Sequence, residues 1–128
     1  MNIDIPQARG PEASRLRRRA RLLLGRLHLP AEALPGSLTL SHRRCGKPSC
    51  HCAKGDGHPF ATLTFMVAGK KRVESIPTGW LAAIRPRVDA GRKFKDITAE
   101  LLAVNAQLLV LARQQRRQFE HGSPSTPP

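Results

Sequence analysis

Three cysteines fall within eight residues, in Cys45-Gly46-Lys47-Pro48-Ser49-Cys50-His51-Cys52, and a further histidine follows at His58. No other stretch limits the fold as strongly. The spacing, C-x4-C-x-C-x5-H, is too tight for a disulfide framework, and three is an odd number. Clustered thiols among turn-forming residues instead deliver soft ligands to a single ion. Gly46 and Pro48 can bend the first loop, and Gly55 and Gly57 can bring the second back so that His58 reaches the metal. The expected ion is Zn2+, held by Cys45, Cys50, Cys52 and His58. His42 and His51 compete for the fourth position, although His51, lying between two ligands, more easily points away. The plainer alternative, three buried thiols in a small core, does not explain the histidine and the glycines around them.

The flanks of this knuckle read as strands. Ser37-Leu38-Thr39-Leu40-Ser41 alternates polar and apolar, and beyond the knuckle Ala61, Leu63, Phe65 and Val67 form one apolar face. Ala68-Gly69 supplies a turn, and Lys70 to Ile76 returns as a third strand. A small antiparallel sheet with the metal knuckle between its first two strands is expected over residues 36–77.

Helices are expected on either side. After a flexible lead at 1–11, Leu16, Ala20, Leu23 and Leu27 recur at helical spacing over 12–29, and Pro30 ends the pattern. The segment LPAEALPG is then a linker. Residues 78–119 form a helical region with Thr78 as its N-cap. Within it Phe94, Ile97, Leu101, Val104, Leu108 and Leu111 make a heptad seam, which either joins two chains as a homodimer or packs on the first helix. Leu102 and Leu109 widen the seam and favour packing within a bundle. Pro86 and Gly91 predict a kink or break between Ile84 and Arg92. Residues 120–128 read as a disordered tail. The fold class expected is α+β: a basic helix, a zinc-stapled sheet of about three strands and a long helical region.

Charge points to the partner. Lys and Arg number 22 against 9 acidic residues, a net charge of +13, and the excess is spread along the chain. Such a chain repels itself unless a polyanion is near, and phosphate backbones are the commonest one. Arg15, Arg17, Arg18 and Arg19 on the first helix and Arg43, Arg44 and Lys47 beside the knuckle are the candidate phosphate contacts. These cations would also offset the charge of metal-bound thiolates. The plainer reading of the helical arginines is a solvated face. DNA is favoured over RNA as the nucleic acid. No phosphate-cradling glycine loop and no Ser/His/Asp set is present, and Asp56 between two glycines is a turn residue, so no enzyme is expected. The start MNIDIPQARG is not a signal peptide, and Leu22 to Leu24 is far too short to span a bilayer. A cytoplasmic, reduced protein without a membrane role is expected.

The run Gly36-Ser37-Leu38, then Arg44-Cys45-Gly46-Lys47-Pro48-x-Cys50-x-Cys52 and Gly55-x-x-His58, resembles an uncharacterised family of small bacterial proteins. The Gly69-Lys70 hairpin, the Pro77-led helix and the leucine-rich segment after it extend the resemblance to about residues 36–112. Members of that family are often encoded near transposases. The resemblance therefore implies a mobile-element setting, but no activity. This chain departs from the pattern at His58-Pro59-Phe60, where members often have His-Gly-Pro followed by aromatics. The functional expectation is a nucleic-acid-binding accessory or regulatory protein. The alternative is an adaptor whose helices hold a protein such as a transposase.

Overall fold

A computed structural model describes residues 4–50, 54–55 and 57–120. The elements run α1 (Pro11–Arg26), β1 (Ser37–Arg43), β2 (His58–Val67), β3 (Lys70–Ile76), a 3-10 turn (Thr78–Trp80) and α2 (Leu81–Glu120). The fold is α+β. The chain divides into two compact units, one made of 1–27 with 95–128 and the other of 28–94.

The first unit is helical. Pro11 opens α1, where its missing N–H costs nothing and its fixed φ suits the first turn. The helix stops at Arg26, ahead of the expected end, because Leu27 turns extended and its N–H bonds back to Leu24. Leu23 is 1% exposed, while Leu16, Ala20 and Leu27 are half-buried, so the apolar stripe seen in the sequence is the covered one. Pairings place the last half of α2 antiparallel to α1. Arg19 meets Glu100 at 2.5 Å, and Ala13 shares a core cluster with Ala112, flanked by Leu108 and Leu111. Alanine at both facing positions permits close packing. Ala8 belongs to the same cluster, and Gln115 clasps Arg9 by accepting from its N–H and donating to its carbonyl (2.9 and 2.7 Å). The stretch before α1 is thus anchored from Ala8 on.

In the second unit β2 is the central strand, antiparallel to both neighbours. Leu38 pairs with Leu63 and Leu40 with Ala61, which joins the two apolar alternations on one face. Among the described residues of this unit, Ala61, Leu63 and Val88 alone are fully buried, a thin core for a sheet. β3 covers Lys70–Ile76 as expected, although nearly all of it is exposed. The hairpin turn takes positive φ at both Ala68 (52°) and Gly69 (80°), the two-residue geometry whose twist matches the strands.

Two expectations at the start of α2 are corrected. Thr78 does not cap the helix. It lies inside the 3-10 turn, whose closing bond runs from the Trp80 N–H to the Pro77 carbonyl, with no side-chain cap. Nor does the helix break between Ile84 and Arg92; it continues through Pro86 and Gly91 to Glu120. Pro86 lies inside the helix as its sixth residue, where it supplies no N–H to the Ala82 carbonyl, yet the helix runs on past it. Gly91 serves packing. The Leu34 N–H donates to the Arg87 carbonyl at 3.0 Å, and the Leu34 carbonyl occupies the space a Cβ at 91 would take. The linker after α1 is therefore laid along α2 and fixed there, with Arg87 also reaching Glu32 at 3.4 Å.

Candidate metal centre and nucleic-acid interface

β1 and β2 both run past their expected ends, and this builds the site. The ladder continues to the pair Arg43 and His58, so His58 is the first residue of β2. Just before it, Gly57 has φ of +95°, and a Cβ there would strike the backbone of Arg43 and Arg44. Only glycine lets the returning chain press against the end of β1 and aim His58 at the loop. On the other arm, the Cys50 N–H donates to the Lys47 carbonyl at 3.1 Å, closing a turn that lifts Cys50 towards His58. Arg44 Nε donates to the Gly55 carbonyl at 3.0 Å and ties the two arms together.

Cys50 Sγ lies 3.2 Å from His58 Nε2, and the ligand atoms of Cys45, Cys50 and His58 are all within 4.8 Å of one another. Tetrahedral zinc sets such atoms about 3.5–3.8 Å apart. Cys45 is exposed, whereas Cys50 and His58 are half-buried. Two thiols and an imidazole so placed suit a metal ion. Cys52, the fourth ligand expected, and His51 lie outside the described residues. His42 is disfavoured by register: it pairs with Pro59, one step from the Arg43 and His58 pair, and so projects from the opposite face of the sheet.

The expected phosphate contacts divide into two groups. Arg43, Arg44 and Lys47 are all exposed around the cluster. Arg43 lies over the Phe60 ring, 4.6 Å from its centroid. On α1, Arg15 and Arg18 are exposed, but Arg19 pairs with Glu100 and Arg17 donates to the Ala8 carbonyl. The latter two brace the helical unit.

The sheet face that carries His58 and Arg43 shows something the sequence reading passed over. By register it also presents Thr39, Ser41, Phe60, Thr62, Thr64 and Ser75, with Lys71 at its far corner and the exposed apolar Met66 and Val73 beside it. None of its residues is acidic, because Glu74 pairs with Leu63 on the other face. The signal was available in the polar half of the same alternation that revealed the apolar face.

The profile of a family described as a domain of unknown function (DUF6788) matches residues 13–86. The chain belongs to the DUF6788 family. The matched span includes α1 from Ala13 on, the sheet and every candidate ligand, so the cysteine cluster lies within the DUF6788 region. No curated protein and no solved structure matches the chain. Among the described residues, no helix is long and apolar enough to cross a membrane.

Proposed function

We propose that this protein is a non-enzymatic nucleic-acid-binding accessory protein, with DNA favoured over RNA, whose sheet is stapled by zinc. Cys45, Cys50, Cys52 and His58 would hold the ion. Its role would be structural, since the sheet buries too little to stand firmly alone. One observation carries the reading: the metal cluster, Arg43, Lys71 and a row of hydroxyls share one sheet face that has no carboxylate. Arginine, lysine and Ser/Thr hydroxyls are the groups that contact phosphate and sugar, which fix a protein on nucleic acid without reading sequence. Binding would therefore be electrostatic and weakly selective. The proposed setting is mobile DNA, which the resemblance to proteins encoded near transposases supports, and a reduced cytoplasm, where the thiols would stay available to metal.

The test is fluorescence anisotropy of zinc-loaded protein with labelled DNA and RNA over a salt series. Arg43→Gln with Lys71→Gln should weaken binding to all sequences and lower the salt slope by about one for each cation lost. Arg15→Gln with Arg18→Gln reports the α1 contribution separately. If wild-type protein binds neither nucleic acid at low salt yet retains a transposase-like partner, the adaptor reading replaces this one.

A further inference from the structure

α2 is apolar on two opposite sides, and α1 covers only one of them. Ile97, Leu101, Val104, Leu108 and Leu111 lie on the covered side. At 3.6 residues per turn, Leu102, Ala106, Leu109 and Val110 fall on the other side. There Leu102 is 63% exposed, and Leu109 and Val110 are each 54% exposed. From Leu101 to Ala112 the helix has no charged residue, in a chain that is 24% charged and carries a net +13. A helix apolar all round is one that is covered on more than one side.

We propose that a second copy of this chain docks antiparallel on this outer stripe, about a two-fold axis passing between Asn105 and Ala106. Charge decides the occupant. A foreign partner for so basic a protein gains most by placing acid against arginine, whereas this stripe offers no charge to meet. Two identical cationic chains, by contrast, approach with least repulsion where neither is charged. The stripe is also self-complementary, as a two-fold interface requires. The axis sets Leu102 against Leu109 of the second copy, and Leu109 against Leu102. Charge also selects the direction. Arg113, Arg116 and Arg117 follow the stripe, and Arg92, Lys93, Lys95, Asp96 and Glu100, three basic against two acidic, precede it. Antiparallel docking puts the arginines of each copy beside this mixed-sign end of the other. It separates the two Arg113 residues by about 22 Å along the axis at 1.5 Å per residue, well beyond the screening length of about 8 Å. Parallel docking would hold the clusters side by side at about 10 Å.

Sedimentation of zinc-loaded, nuclease-treated full-length protein at high salt tests this. Wild type should shift from monomer to dimer with concentration. Leu102→Glu alone and Leu109→Lys alone should each weaken the dimer at least tenfold while leaving helical circular dichroism unchanged. The double variant Leu102→Glu/Leu109→Lys should restore dimerisation, because antiparallel docking sets each glutamate against a lysine. A wild-type protein that stays monomeric throughout overturns the proposal. So do single variants that dimerise as wild type does, or a double variant that fails to recover.

Discussion

The helical unit and the sheet unit solve the problem of a small core in opposite ways. The helical unit packs interlocking small and large side chains: Ala13 and Ala112 meet, and Leu23 is shut from solvent. Its stability lies in apolar contact. The sheet unit buries Ala61, Leu63 and Val88, and leaves β3 almost wholly in water. It gathers its sulfurs and an imidazole at one end instead. With a metal at that cluster, a small chain would divide its stabilisation between packing and coordination, and a perturbation aimed at one should spare the other.

Metal removal should give the largest effect. Structural zinc contributes about 10–16 kcal/mol in small zinc-dependent peptides, so chelation or Cys50→Ser should melt the sheet unit. The α1–α2 helicity should persist, giving two separated transitions in a thermal melt followed by circular dichroism. A single unchanged transition, or no metal by elemental analysis of gently purified protein, would erase the contrast.

The converse perturbation is Leu23→Ala. It opens a cavity in the helical unit and should cost about 2–4 kcal/mol there. Zinc content and affinity should stay at wild-type values, and loss of metal would show that the two units are not energetically separate.

The smallest effect is expected at the β2–β3 turn. Ala68 sits at φ 52°, a region that penalises a Cβ. Ala68→Gly should therefore stabilise the sheet unit by about 0.5–1 kcal/mol, less the entropy glycine loses on folding. A raised melting temperature for the sheet transition alone would sharpen the comparison, and a shift of the helical transition would blur it.

The same contrast explains what the sequence disclosed. The sheet was legible because alternation is a local signal, and β3 matches its expected span. The cluster was legible because its ligands are close in sequence. The covered stripe on α2 followed from heptad spacing, through Leu101, Val104 and Leu108. What stayed hidden was non-local. Pro86 and Gly91 read as helix breakers, since nothing in their own neighbourhood shows that the Leu34 carbonyl comes to rest against residue 91. The brace of Arg17 and Arg19 was hidden for the same reason: Ala8 and Glu100 are their partners, and the sequence shows only a run of cations. Spacing already favours His58 over His42, and the strand register adds that the two lie on opposite faces.

The pairing of Arg43 with His58 spans a connection of fourteen residues, 44–57, whereas Val67 and Lys70 are joined by two. Closing the longer loop costs the chain about 1.7 kcal/mol more entropy, from three-halves RT times the logarithm of seven. A metal that gathers Cys45, Cys50 and His58 holds that loop shut at its base, so β1 rather than β3 is the strand whose attachment the metal governs. As metal departs, β1 should peel away first and leave one side of β2 with unpaired N–H and C=O groups. An open strand edge is a template for pairing with other chains, so metal loss at this cluster should lower the protein's solubility.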